Sequence, residues 1–273
     1  MENTTGILRS KLYFDSKYLV LVNKTNPIDL KYFEEHFNVS PFQTKEGNFI
    51  PADFTAYYAV TRLIEQMKNE GFKAVIGSAF RTYEDQELLY NNSLNTRGPE
   101  YTETHVAPVG YSAHHLGSDF DINLKEIDFG ILQPVVDVFK RGGTKVVHAM
   151  NADTYKDTFY KKLAEVAPSQ GFILRYPEGK TEQTGYVGER WHFSYVGGFA
   201  PLFYLDKDGN VSKQPTFTME EFSKFICHEL KMSSLRDADK QEKITEYFSK
   251  NKMPDIAKKV IEFSSQPDGP QPQ

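Results

Sequence analysis

The sequence predicts an α+β fold, with helices packed to one side of a small central antiparallel sheet and a C-terminal helical appendage. Three observations predict it. Stretches with a helical apolar period dominate the first half, short β-rich runs flank turn-rich segments up to about residue 200, and a Lys- and Glu-rich helical pattern continues beyond. The boundaries that follow are a domain over residues 1–205, a helical extension over 206–263 and a polar tail, "SSQPDGPQPQ", over 264–273, which lacks the means to bury itself and is expected to be disordered.

Each element has its own signal. "KYLVLVNK" from Lys17 reads as a buried strand, and "NPIDLKYF" as a loop entering a short helix. After Pro51, the residues Phe54, Tyr57, Tyr58, Thr61, Ile64 and Met67 recur at helical spacing, and Gly71 is placed as a stop. "FKAVIGSAF" is β-rich and runs to Arg81, and "TYEDQELLYNN" then starts a helix capped by Thr82. "DFDINL" is strand-like, while "TYKDTFYKKLAEVAPSQGF" is an amphipathic helix ended by Pro168 and Gly171. "FILRYP" and "HFSYVG" are short strands separated by the turn-rich "EGKTEQTGYVGE". Thr218 and Glu221 have the spacing of a capping box that opens the C-terminal helices.

Composition narrows the function classes. The 273 residues carry a net charge of −5 with no basic excess, so nucleic acid is not expected as a partner. A single cysteine, Cys227, excludes an intramolecular disulfide and a multi-cysteine zinc site, so a bound metal must use N and O ligands. No apolar run approaches the ~20 residues of a membrane-spanning helix. The start, "MENTTGILRSKLYFD", lacks the basic-then-apolar pattern of a signal peptide, which leaves a cytoplasmic chain or one whose targeting segment has been removed.

One stretch carries the chemistry. "GYSAHHLGSDFDINL" places His114, His115, Asp119 and Asp121 within eight positions, and "GERWHFSYVG" adds Glu189, Trp191 and His192. Three N/O ligands with a fourth position left to water make a catalytic zinc site, and His114, Asp121 and His192 would complete one. Strand alternation puts Asp119 and Asp121 on one face, so spacing does not choose between them. The same alternation forbids His114 and His115 from sharing a metal unless the chain bends, and Gly117 is expected to mark a turn. Glu189, three residues before His192, could reach a water on the metal as general base.

"SAHHLGSDFD" resembles the S-x-H-x-x-G-x-x-x-D segment, and "ERWH" the E-x-W-H segment, of the zinc D,D- and L,D-carboxypeptidases of VanY type, which trim peptidoglycan stem peptides. "LVLVNKTNPID", "GSAFRTYEDQ" and "GFILRYPEGKTEQTG" agree in order, so that the likeness runs from Tyr18 to Gly197. The resemblance implies one zinc per chain on His114, Asp121 and His192, Glu189 as catalytic base, Arg81 polarising the scissile carbonyl, and Gln86 and Ser112 holding substrate. Two positions depart from the pattern. Asp119 stands where the family has alanine, and Ser194 follows "WHF" where it often has arginine. Asp119 is read as a hydrogen-bonding residue rather than a ligand, His115 as outside the ligand set, and Trp191 as packing beside the site. His36, His105, His148, His228 and Cys227 fall outside any constellation.

The function implied is release of a C-terminal D-alanine from stem peptides by a monomeric extracytoplasmic enzyme. Two other readings use the same scaffold: an endopeptidase of the phage-lysin kind, and a zinc-containing binding domain without turnover. Glu189 speaks against the last, because binding alone needs no base.

Overall fold

The computed structural model describes residues 15–44, 47–125, 139–141, 144–146, 152–206, 208–232 and 238–264. His148 and the tail after Ser264 lie outside them.

Among the described residues the helices longer than one turn are α1 (Leu30–His36), α2 (Phe54–Asn69), α3 (Tyr83–Arg97), α4 (Pro99–His105), α5 (Ala152–Val166), α6 (Met219–Leu230), α7 (Ala238–Lys250) and α8 (Met253–Ser264). Strands β1 (Val39–Gln43) and β2 (Phe49–Asp53) form a hairpin, and β5 (Phe139–Arg141) and β6 (Thr144–Val146) a second antiparallel pair. At the centre, β3 (Ala74–Ser78), β4 (Asp119–Leu124), β7 (Phe172–Tyr176) and β8 (Glu189–Tyr195) make a four-stranded sheet in the order β3-β4-β8-β7, with every pair antiparallel.

Alternation along these strands assigns the two faces. Phe120, Ile122, Phe172, Leu174, Phe193 and Tyr195 join a core with the buried sides of α2 and α5. The intervening residues, Asp119, Asp121, His192, Ser194, Ile173 and Arg175, therefore point the other way. On that face Ile173 joins a second core made by Val196, the 3-10 segment Gly197–Tyr204 and α6 to α8. Helices thus lie on both faces, α2 and α5 on one and the C-terminal helices on the other. The reason is visible in β7: all five of its residues are buried, which a sheet exposed on one side does not allow.

The capping box opens α6, with Thr218 Oγ1 accepting from Glu221 N and Glu221 from Thr218 N. On the β7 side, Arg175 is almost wholly buried and donates to both oxygens of Glu220 on α6, at 3.1 and 2.8 Å, and to the Val22 carbonyl at 3.2 Å. Asn23 completes the cluster by donating to Glu220 at 3.2 Å.

Two elements differ from the sequence reading. "KYLVLVNK" is a 3-10 turn over Ser16–Leu19 followed by irregular chain, not a strand. Asp15 caps that turn by accepting from Lys17 N, and the Asn23 side chain accepts from the backbone N–H groups of Thr25 and Asn26, so local polar contacts replace a strand ladder. Along α2 the buried residues are Ala56, Tyr57, Ala59, Val60, Leu63 and Met67, while Phe54 and Tyr58 are exposed beside Phe42. Small alanines let the helix approach the core closely, which turns the larger aromatics outward.

Candidate active site

The site forms where β4 and β8 run side by side. Asp121 pairs with His192 and Asp119 with Ser194 in the β4–β8 register, which brings residues more than 70 positions apart onto one face. His114 arrives from the preceding 3-10 turn, Ala113–Leu116. That turn ends at Gly117, which has a φ of 71°. A Cβ there would lie 2.7 Å from Val39 Cγ2 and 3.1 Å from Asp53 N, so both the conformation and the space require glycine. This is the bend that the His114–Asp121 spacing asked for.

Second hydrogen bonds define which ring nitrogens are free. His114 Nδ1 sits 2.6 Å from the Ala79 carbonyl, so it carries the proton and Nε2 offers its lone pair, 3.5 Å from Asp121 Oδ1. His192 Nε2 lies 3.1 Å from Asp119 Oδ1, and its Nδ1 is 3.9 Å from Asp121 Oδ1 and 3.0 Å from Glu189 Oε2. Ligand atoms of His114, Asp121 and His192 all lie within 4.8 Å of one another.

Electrostatics and satisfaction both fit a cation at this point. Asp121 Oδ1 is buried with no hydrogen-bond partner, an arrangement that is costly unless something positive meets it. Burial raises the Asp121 pKa, but the neighbouring His114 and His192 rings and Arg81 outweigh it and bring the carboxyl down to about 2. For His192, burial disfavours the charged ring, yet hydrogen bonds to Asp119 and Glu189 and the charge of Asp121 raise its pKa to about 9. Three carboxylates therefore stabilise positive charge at the imidazole. The same charge would favour a metal ion in place of the ring proton, and two imidazole nitrogens with a carboxylate are a donor set that suits zinc.

Around them opens a cleft of about 260 Å³ lined by Arg81, Ser112, Tyr176, Glu189 and Trp191 as well as the ligand-type residues. Arg81 is fixed by donating to Gln86 Oε1 at 2.8 Å and Ser78 Oγ at 3.2 Å, and its guanidinium stands 4.0 Å from Asp121 Oδ2. Gln86 is fully buried, and its amide is used at both ends, by Arg81 and by the Ala107 carbonyl at 2.6 Å. Its contribution to the cleft passes through Arg81. Ser112 lines the cleft. His115 faces away from His114's partners, with Nδ1 2.7 Å from the Arg81 carbonyl and Nε2 accepting from Gly110 N at 3.2 Å. Burial pushes its pKa down, which suits the neutral ring these two bonds require.

Sequence reasoning did not place His105, Tyr176 or Tyr186 at the cleft. His105, set aside as structural, lies at the rim on the last turn of α4, stacked on Tyr101. Tyr176 meets the His192 ring edge to face at 4.9 Å, and Tyr186 packs on Tyr176 at 5.2 Å. Only the "RYP" and "TGY" fragments of the turn-rich segment hinted at the last two. His36 is stacked on Tyr32 and His228 lies against Phe263, both away from the cleft.

Fold and site together define a metallohydrolase, and comparison with known proteins narrows the class. The family model of VanY, D-alanyl-D-alanine carboxypeptidase, matches residues 52–198. The bifunctional D-Ala-D-Ala dipeptidase and D-Ala-D-Ala carboxypeptidase VanXYC of Enterococcus gallinarum is 30% identical over 209 residues, which are 77% of this chain and 95% of that protein. Among solved structures, the D,D-dipeptidase VanXYg bound to a D-Ala-D-Ala phosphinate analog aligns with a TM-score of 0.56 at 26% identity, over 78% of this chain and 74% of that one. VanYB in complex with D-alanine-D-alanine aligns with a TM-score of 0.50 at 28% identity, over 67% and 88%. The chain belongs to the VanY family, and so to the zinc-dependent D-alanyl-D-alanine carboxypeptidases.

Proposed function

We propose that this chain is an exopeptidase that removes the terminal D-alanine from peptidoglycan stem peptides, with zinc held by His114 Nε2, Asp121 and His192 Nδ1. The observation that carries the ligand assignment is the buried, unpartnered Asp121 Oδ1, toward which His114 turns the nitrogen its other hydrogen bond leaves free and His192 the nitrogen it shares with Glu189. When bound, zinc supplies Lewis acidity that polarises the scissile carbonyl and makes water acidic enough to ionise near neutral pH.

The chain's own residues supply the rest. Glu189, beside His192 Nδ1, takes the proton of the attacking water and delivers it to the leaving amine. Arg81, held by Gln86 and Ser78 at the cleft wall, faces the carbonyl oxygen and stabilises its negative charge as the tetrahedral centre forms. Ser112 and Trp191 border the same cleft and position the peptide, and His115 holds the Arg81 backbone in place. Stem peptides belong to the cell envelope, so the enzyme acts there, as a monomer whose cleft is built from a single chain. Among the described residues no helix is long and apolar enough to cross a membrane.

Incubating the zinc-loaded protein with defined tetra- and pentapeptides and weighing the products tests this reading. Loss of one alanine mass from a peptide ending in D-Ala-D-Ala, or from one ending in an L-centre followed by D-Ala, is expected. Internal cleavage would replace it with the endopeptidase, and no cleavage of any stem peptide would leave a binding domain.

A further inference from the structure

We propose that Asp119 is a positioning residue of the metal centre: it accepts the Nε2 proton of His192, turning Nδ1 toward Asp121 and His114, and is itself set in place by Ser194. The inference rests on His192 being a zinc ligand. It assigns to Asp119 a part distinct from both coordination and chemistry.

Geometry separates Asp119 from the ligand group. The two nitrogens of an imidazole point to different sides of the ring, and Asp119 is on the Nε2 side at 3.1 Å, whereas Asp121 and Glu189 are on the Nδ1 side. One ion cannot be bound by His192 Nδ1 and by Asp119 together. Both Asp119 and His192 are nearly inaccessible to solvent, at 2% and 4% exposure, so water does not compete for this hydrogen bond.

The carboxylate is fixed from its other sides. Ser194 Oγ donates to the same Oδ1 at 2.6 Å across the strand pair, and Ser118 Oγ donates to Oδ2 at 3.4 Å. Behind it a cavity of about 10 Å³ is bounded by Asp119, Ser118, Ser194 and Arg175. Two rings hold the imidazole from the remaining directions, His114 at 4.6 Å and Tyr176 at 4.9 Å. An anionic acceptor on the far nitrogen of a ligand histidine fixes the tautomer, orients the ring and makes the near nitrogen a stronger donor. Asp119 has each property that this requires: charge, burial, distance and its own support.

The test compares zinc affinity and ring tautomer in the full chain, using chelator competition and the ¹⁵N resonances of His192 in zinc-loaded protein, for Asp119→Asn, Ser194→Ala and His192→Ala. Asp119→Asn keeps the shape and loses the anion. It should weaken zinc by about 10- to 100-fold, the range for lost outer partners of metal ligands, and shift the His192 Nε2 resonance. Ser194→Ala should show a smaller loss in the same direction, and it decides the matter if the Asn variant does not fold. Parental affinity and unchanged resonances in Asp119→Asn, beside a zinc-free His192→Ala, overturn the inference alone. Complete loss of zinc in Asp119→Asn overturns it too, because Asp119 would then be a ligand. Retained zinc in His192→Ala overturns the ligand reading and this inference with it.

Discussion

Arg81→Lys keeps a positive charge in the cleft and removes the planar fork that locates it. In the structure two donors of that fork are already committed, to Gln86 Oε1 and Ser78 Oγ, and the guanidinium lies 4.0 Å from the Asp121 carboxylate. Two unit charges at that separation interact by about 4 kcal/mol at an effective dielectric constant near 20. An oxyanion forming at a comparable distance would gain a similar amount, close to three powers of ten in rate. Lysine cannot grip both anchors, so its ammonium stands elsewhere or moves, and most of that gain disappears. The expected result is a fall in kcat of about 10²–10³-fold with little change in KM. Steady-state kinetics on a pentapeptide, alongside zinc analysis to show the metal retained, reads it out. An unchanged kcat with a raised KM would refute the reasoning, since Arg81 would then bind a ground-state carboxylate. Unchanged constants would make it a bystander.

Other outcomes follow from the same geometry. Glu189→Gln should retain zinc and lose at least ~10²-fold in rate, because a general base moves protons and does not hold the ion; equal activity in mutant and parent would remove Glu189 from the mechanism. Glu220→Ala leaves the Arg175 guanidinium buried without its ion-pair partner, with the Val22 carbonyl and the Tyr176 ring still in contact, and should cost about 3–5 kcal/mol in urea unfolding. An unaltered unfolding midpoint would mean that Arg175 finds solvent. Burial raises the Glu220 pKa, but Arg175 outweighs it and holds the carboxyl below its ordinary value. The folded pKa is therefore below the unfolded one, and the pair's contribution is full above about pH 4.3 and is lost as the pH falls. Glu220→Gln should flatten that acid limb of the stability profile, and a limb as steep as the parent's would refute the linkage.

Much of the site was legible because strand chemistry is local. The offset from Asp119 to Asp121 fixes a shared face, and Gly117 announced the bend that admits His114. The partners of the outer residues were not legible, since they depend on register between segments far apart. Asp119 and Ser194, two isolated departures from the family pattern, are opposite each other on neighbouring strands and share one hydrogen bond. The burial of Gln86 was not legible for a related reason: a polar residue on a helix gives no sign of being buried until its partners, Arg81 and Ala107, are brought to it. The apolar run at Lys17 reported burial correctly and conformation wrongly, because buried irregular chain and buried strand have the same composition. His105 gave no signal at all, since its place at the rim depends on how α4 is set against the cleft.

The contacts between the chain's first described residues and its C-terminal helices bear on the order in which the protein can fold. Asn23 and Glu220 are 197 positions apart, and the bond from Ser16 to Thr245 on α7 spans 229. Closing such long loops is slow and awaits synthesis of both ends. During translation β7 emerges with Ile173 and Arg175 uncovered, and it stays so until α6 has left the ribosome. Tyr176, next to Arg175, is also the ring against His192. The strands that carry Asp121 and His192 are thus synthesised before the helix that covers the strand beside them, and the Tyr176 side of the cleft is set only once α6 packs onto β7.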